Sequence, residues 1–399
     1  MAPPDRVLIV GAALAGLRVA ESLRSAGHVG DITLVGDEGH LPYTRPPLSK
    51  ALLLDRPDHA AVEFRRRPSV DDVTWRLGTR VVAADLTRRT VTLDDDTELT
   101  WDALVAATGV RARRLAVPGP TAGRFTIRTL DDAKVLHTAL KGAASVVVVG
   151  AGFIGCEVAA TARLMGCEVT VVTADPEPMI RPCGRELGAA LRARHERHGV
   201  RFYLGTGVAG FTGHDRATGV RLDDGTTIAA DVVVEAVGSV CNVEWLDGHG
   251  LDLTDGVLTD ATLRVDHPSP VFAVGDVARY PNLLIDEVPR RIEHWQLATD
   301  TARTAAAAIV ASLTGAAPPP GLAVVPYFWT DQYDLKLQSY GAPGLADRCE
   351  LVEGSWDGDC VISYLRRDLP VAAVICGMPK RAVHHRRVVL ESLTAARAQ

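Results

Sequence analysis

Two glycine-rich turns constrain this chain more than any other feature. One of them, Gly150-Ala151-Gly152-Phe153-Ile154-Gly155, follows the β-branched run Ser145–Val149 and leads into a helical pattern. It is a complete G-x-G-x-x-G dinucleotide fingerprint, in which glycines let a strand turn sharply and bring backbone N–H groups against a pyrophosphate. The earlier turn, Gly11-Ala12-Ala13-Leu14-Ala15-Gly16, follows Val7–Val10 and has alanine at the second glycine position. Alone, that incomplete copy is weak evidence, because strand–turn–helix starts with two glycines are common. Two such turns about 140 residues apart are far more specific. They imply two Rossmann-like domains, each holding a dinucleotide.

A chain of 399 residues has room for those two domains and a third. The net charge of −6 removes any general attraction to nucleic acid or anionic membrane. No basic segment precedes the first apolar run, so it does not read as a signal peptide. The Ala-rich stretch from Ala305 to Leu313 is too short to span a bilayer. A cytoplasmic protein is expected. The seven cysteines show no C-x-x-C or C-x₄-C spacing, which excludes the common dithiol and zinc patterns. They read as small buried residues with free thiols.

In chain order, the first unit continues with a helix ended by Gly27 and a strand ending in Gly36-Asp37-Glu38. An acid about 20 residues past the first glycine is where this unit binds a ribose hydroxyl. A polar loop after a strand is the plain alternative for Asp37. The loop Leu41-Pro42-Tyr43-Thr44-Arg45-Pro46-Pro47-Leu48-Ser49-Lys50 carries two cations, and its paired prolines enforce extended backbone before a helix. Strands are expected over 74–100, with a hairpin at Asp94-Asp95-Asp96, and a buried strand ends at Ala107-Thr108-Gly109. The basic, Pro/Gly-rich stretch from Arg111 to Pro120 reads as a crossover between domains. After the second fingerprint come a strand ending near Thr173, another ending at Gly238, and a third ending at Gly275-Asp276. Glu293-His294-Trp295 opens a long helix, Pro318-Pro319-Pro320 reads as a linker, and a strand-rich remainder ends in a helical tail.

These residues together resemble the FAD-dependent ferredoxin reductases of the oxygenase-coupled type. The resemblance is carried by the two nucleotide units, Arg45-Pro46-Pro47-Leu48-Ser49-Lys50, Ala107-Thr108-Gly109, Gly275-Asp276, Glu293-His294-Trp295 and Pro326-Tyr327-Phe328-Trp329-Thr330-Asp331-Gln332. It runs the whole length, in order. It implies an α/β, glutathione-reductase-like fold with two Rossmann-like nucleotide-binding domains and a smaller α+β C-terminal domain. The implied limits are 1–112 and 242–318 for a discontinuous FAD domain, 113–241 for an inserted NAD domain, and 319–399 for the C-terminal domain.

The same resemblance implies an NADH-dependent ferredoxin reductase that supplies a cytochrome P450 or a dioxygenase. Hydride would pass from NADH to FAD, and single electrons from FAD to an iron–sulfur ferredoxin such as a [2Fe-2S] protein. A rubredoxin reductase and a flavin NADH oxidase are the alternatives among enzymes. A redox-sensing binding protein in the manner of apoptosis-inducing factor is the alternative of another class. Carried over residue by residue, the FAD positions are Gly11, Ala13, Leu14, Ala15, Gly16, Asp37, Arg45, Lys50, Val81, Ala107, Thr108, Gly109, Arg128, Asp276 and Trp295. The NAD positions are Gly150, Gly152, Phe153, Ile154, Gly155, Glu157, Thr173 and Gly238. Lys50 is expected beside the flavin N5 edge, paired with Glu157, as the catalytic pair. Trp329 is a candidate for the surface over the flavin.

Two departures from the family pattern stand out. Ala13 replaces a glycine of the FAD loop, and Thr173 stands where an NAD-selecting acid is expected. No arginine lies between Val172 and Ile180, and Asp175 and Glu177 would repel a 2′-phosphate, so NADH is favoured over NADPH. The loop from Leu41 to Lys50 has no cysteine, so electrons are expected to leave the flavin directly for an external acceptor. Residues 361–399 hold seven Arg/Lys against two acids, a patch that could steer an acidic ferredoxin, although a solvated helical face accounts for it equally well. No heptad pattern or long apolar surface stretch argues for a dimer, and a monomer is expected.

Overall fold

A computed structural model describes residues 5–397. The first unit runs β1 (Val7–Val10), α1 (Leu14–Ser25), β2 (Ile32–Gly36), β3 (Thr74–Leu77) and β4 (Ala103–Ala106). The second contains α2 (Leu130–Leu140), β5 (Ser145–Val149), α3 (Phe153–Leu164), β6 (Glu168–Thr173), α4 (Ile180–Arg197), β7 (Arg201–Leu204) and β8 (Val232–Glu235). The chain then returns through β9 (Val271–Ala273) and α5 (Trp295–Thr314). The last part holds β10 (Tyr327–Gln332), β11 (Leu335–Gly341), β12 (Arg348–Gly354), β13 (Cys360–Arg366), β14 (Leu369–Cys376) and α6 (Ala382–Arg397).

Each nucleotide unit is a five-stranded parallel sheet. The first has strand order β9-β4-β1-β2-β3, and the second β7-β6-β5-β8 followed by the short strand Arg124–Phe125. The central strands read as unbroken apolar runs because both faces are covered by helices and connecting segments. The pairing Val271↔Leu104 shows that the first sheet is finished by a segment that returns after the whole second unit. An antiparallel ribbon, Val110–Ala112 against Ser239–Cys241, carries the two crossings between the units side by side. This is where the basic crossover was expected.

The C-terminal part is an antiparallel sheet of order β10-β11-β14-β13-β12, packed against α6. Its inner residues Phe328, Leu337 and Val374 share one apolar cluster with Leu48 and Leu53 and with Val158 and Val171 of the second unit. The loop bearing Lys50 is therefore clamped between the second nucleotide unit and the C-terminal sheet. Among the described residues no helix is long and apolar enough to cross a membrane.

Candidate functional site

The backbone of both turns explains which glycines are compulsory. Gly11 has φ +120°, and a Cβ there would lie 2.1 Å from the Ala107 carbonyl oxygen. Gly150 has φ +103°, with the Ala236 carbonyl oxygen at 2.3 Å from such an atom. Gly16 and Gly155 each press on the preceding turn, where a Cβ would sit 2.0 Å from the carbonyl oxygen of Gly11 or Gly150. The second position is different. Ala13 has φ −95° and ψ −158°, and Gly152 has φ −78° and ψ −165°, both ordinary extended backbone. Nothing lies within 4 Å of a Cβ placed on Gly152. A methyl group at position 13 therefore costs the fold nothing.

The helix starts at the expected nucleotide sites are left open, as is that of α4. α1, α3 and α5 have no side-chain cap, whereas α2 carries a complete capping box of Thr129 and Asp132. Uncapped N-termini present free N–H groups and positive dipole ends to anionic ligands. The α1 terminus is bordered by the returning chain: a Cβ on Gly275 would meet that of Ala15 at 2.9 Å. Asp276 is thereby set beside the first glycine turn. At the start of α5, His294 is half-buried, and its buried Nδ1 has no partner among the described residues. Burial holds His294 down to about 4, so it is neutral.

A polar network links the expected FAD residues. The Arg128 guanidinium pairs with Asp276 at 2.8 Å and donates from Nε to the Val110 carbonyl. Arg45 donates to the Arg128 carbonyl at 2.8 Å and pairs with Glu38. The Tyr43 hydroxyl donates to Glu38 and accepts from the Leu130 amide. Glu38 is thus committed to the protein, whereas its neighbour Asp37 is exposed at the end of β2, open to a ribose. The Thr108-Gly109 turn is tied to Asn242, with the Thr108 hydroxyl donating to the Asn242 carbonyl at 2.7 Å. Val81 is buried at the start of its strand. The alternating cradle of glycines, the open helix ends, the unpartnered His294 and the Arg128–Asp276 pair fit an FAD.

Lys50 and Glu157 come together although 107 positions separate them in the chain. Nζ of Lys50 lies 2.8 Å from Oε1 of Glu157, and the two side chains are only 15% and 4% exposed. The Ser49 hydroxyl donates to Oε2 and the Thr330 hydroxyl to Oε1 at 2.6 Å. The loop supplies Lys50 and Ser49, the second turn of α3 supplies Glu157, and the C-terminal sheet supplies Thr330. This last contribution was missed by the sequence reading. The signal was the strict in/out alternation of β10, which buries Phe328, Thr330 and Gln332 on one face. Two uncharged polar residues on a buried face call for polar partners.

On the opposite face of β10 Trp295 meets Trp329 edge to face, with centroids 5.9 Å apart, and Trp329 stacks on Tyr327 at 5.7 Å. With Gln296, Asp331 and Lys336 they line a cleft of ≈510 Å³. At the second glycine turn, Phe153 packs edge to face on Phe328 and Ile154 is exposed, and Gly238 has φ +97° in open space. Six of the seven cysteines are buried and all are free. Burial pushes the Cys156 thiol, next to Glu157, well above its ordinary range.

Three expectations from the sequence need correction. Glu177 does not face a ribose: it is buried and paired with Arg192 of α4 at 2.9 Å. Only Asp175 stays near the end of β6, where Thr173 is buried and its hydroxyl accepts from the Asp175 amide. An arginine does approach that strand end: Arg181, in the first turn of α4, lies 3.8 Å from Asp175. Finally, the C-terminal basic patch is partly paired. Arg366 pairs with Asp286, Arg381 with Glu353 and Arg387 with Glu391, and Arg290 and Arg291 near α5 also face acids. Asp286 and Glu353 lie outside the 361–399 window in which the charges were counted, Glu391 lies inside it, and Arg367, Lys380, Arg386 and Arg397 have no ion pair among the described residues.

The fold and this site define a pyridine-nucleotide flavoprotein reductase. Residues 5–302 match the pyridine nucleotide-disulphide oxidoreductase model and residues 327–399 the reductase C-terminal model, so the chain belongs to the pyridine nucleotide-disulphide oxidoreductase family. It is 40% identical over 360 residues to rhodocoxin reductase of Rhodococcus erythropolis, covering 88% of this chain and 81% of that one. It is 39% identical over 377 residues to the ferredoxin reductase component of the chlorobenzene dioxygenase of Cupriavidus sp. (strain PS12), covering 92% and 88%. Its fold matches that in the crystal structure of the covalent putidaredoxin reductase–putidaredoxin complex with a TM-score of 0.89, at 32% identity over 98% of this chain and 94% of that one.

Proposed function

We propose that this chain is an FAD-dependent, NADH-oxidising ferredoxin reductase that feeds electrons to a P450 or dioxygenase system in the cytoplasm. Bound FAD supplies two-electron chemistry toward the nicotinamide and one-electron chemistry toward an iron–sulfur protein. The observation that carries the reading is the buried Lys50–Glu157 pair between the two nucleotide units, beside a loop without cysteine. A disulphide reductase of this fold needs a thiol pair at that loop; here the family frame is kept and the thiols are not.

In this reading the turn at Gly11–Gly16 and the start of α1 bind the FAD pyrophosphate, and Asp37 binds the ribose. Asp276, oriented by Arg128, holds the flavin's polyol chain, and the N–H groups at the start of α5, with neutral His294, face the flavin's electron-rich end. The turn at Gly150–Gly155 and the start of α3 bind the NAD pyrophosphate. Lys50 keeps a positive charge against the redox-active edge, and Glu157 keeps Lys50 in position. The domain limits are 1–112 with 242–318, 113–241, and 319–399. The relatives named for ferredoxin systems support an iron–sulfur acceptor, and the selectivity for NADH rests on Asp175.

The test is to purify the protein, measure its flavin, and follow NADH- and NADPH-driven reduction of a ferredoxin panel. Expected are a yellow protein with FAD, preference for NADH, and slow NADH consumption until a ferredoxin is added. Rapid NADH oxidation without a protein acceptor identifies an oxidase instead, and a colourless protein that takes up no FAD removes the reading.

A further inference from the structure

Behind Glu157 lies a hydrogen-bond chain whose direction can be worked out from its end. An ion-paired carboxylate can only accept, so the Thr330 hydroxyl, 2.6 Å from Oε1, must donate to it. The Thr330 oxygen then accepts from Nε2 of Gln332 at 3.2 Å. That turns Oε1 of Gln332 toward His195, whose Nε2 lies 2.8 Å away and must carry the proton. Nδ1 of His195 is left as an acceptor and faces the Tyr333 hydroxyl at 3.4 Å. Every donor points toward Glu157. Thr330, Gln332 and His195 are each at most 1% exposed, so water does not substitute for any link.

The hairpin that delivers these groups is held at a conformational cost. Tyr333 has φ +55° in the two-residue turn between β10 and β11, where asparagine or glycine is usual. Its ring stacks on His198 at 3.7 Å, and the adjacent Asp334 pairs with Arg194 at 2.6 Å. The turn is pinned to α4 at the outer end of the chain, while β10 reaches Glu157 at the inner end.

We propose that His195, Gln332 and Thr330 form a one-way donor chain that fixes the Glu157 carboxylate against Lys50, making the C-terminal hairpin a positioning element for hydride transfer. The inference rests on the reading of Lys50 and Glu157 as the pair at the transfer site. A cluster that merely seals the contact between β10 and α4 would affect stability and leave transfer unchanged. The charged and titratable groups facing the chain include Lys50 and Cys156 at the inner end, and Arg163, Arg194, His198, Tyr333 and Asp334 at the outer end.

The test uses the full-length, FAD-loaded protein. Thr330→Val should slow NADH-driven flavin reduction in stopped flow roughly ten- to a hundredfold, as misplacement of a catalytic group does. FAD content and NADH affinity should be unchanged, and Thr330→Ser should restore the rate. Gln332→Glu, which draws the Thr330 proton away from Glu157, should slow it as well and covers the case in which Thr330→Val fails to fold. In the Glu157→Gln background, Thr330→Val should change the rate by less than roughly twofold. Independently of activity, ¹⁵N NMR of His195 should show the neutral Nε2–H tautomer in the wild type and imidazolium in Gln332→Glu. A normal rate in Thr330→Val, or an Nδ1–H tautomer in the wild type, overturns the chain alone. An unchanged rate in Glu157→Gln overturns the reading beneath it.

Discussion

Replacing Lys50 by methionine tests the buried ion pair directly. The substitution keeps the unbranched apolar stem, one atom shorter, and removes the charge. Glu157 then retains only the neutral donors Ser49 and Thr330 in a site where it is 3% exposed. Breaking a buried pair by removing one partner costs about 3–5 kcal/mol. Removing both charges costs much less, because no charge is left buried without compensation. Cys156, adjacent to Glu157 and 1% exposed, is a built-in reporter of local opening. Its alkylation, read by peptide mass mapping under native conditions, should accelerate roughly a hundred- to several-thousandfold in Lys50→Met. In Lys50→Met/Glu157→Gln most of that acceleration should disappear. Cys167, outside the pair, serves as the control for global loosening. A Lys50→Met rate within about fivefold of the wild type, or a double variant as fast as the single one, would refute the argument that a compensated buried charge holds this site closed.

Other outcomes follow from the same geometry. Gly11→Ala should abolish FAD retention and lower stability, measured by flavin absorbance and urea unfolding, because its Cβ would collide with the Ala107 carbonyl. Ala13→Gly, by contrast, should keep or tighten FAD binding in a reconstitution titration; loss of FAD would mean that the turn binds something else. Burial holds His195 down to about 4, with His198 and Arg194 adding to the effect. Its folded value lies below the ordinary 6.5, so the unfolded chain binds more protons and stability falls as pH drops from 6.5 toward 4. The loss should approach about 3 kcal/mol for this group, and His195→Gln should remove that share of the pH dependence in urea unfolding. Pairing of Arg366, Arg381 and Arg387 leaves Arg367, Lys380, Arg386 and Arg397 without an ion pair among the described residues, so ferredoxin reduction should slow as salt rises, and a flat salt dependence would remove the steering patch.

Much of the frame was legible because it depends on local chemistry. The two glycine turns, the runs Val7–Val10 and Ser145–Val149 and the start of α5 at Trp295 are each announced by residues a few positions apart. The resemblance to the ferredoxin reductases carried Lys50 and Glu157 as a pair, and the structure brings them within a salt bridge. Charge pairing was read less well. Glu177, Arg366 and Arg381 looked free because their partners, Arg192, Asp286 and Glu353, lie outside the window in which they were counted.

What the sequence alone determined is the pair of dinucleotide turns, since sharp backbone reversal and close packing against a carbonyl admit glycine at Gly11, Gly16, Gly150 and Gly155 whatever lies beyond. The tertiary structure decided two things. The substitution at Ala13 is harmless to the backbone because that position is extended, a property of φ and ψ that residue identity does not reveal. Glu157 is held from three directions, by Lys50, Ser49 and Thr330, because a buried carboxylate must collect its donors wherever the fold brings them, here from a strand 173 residues away.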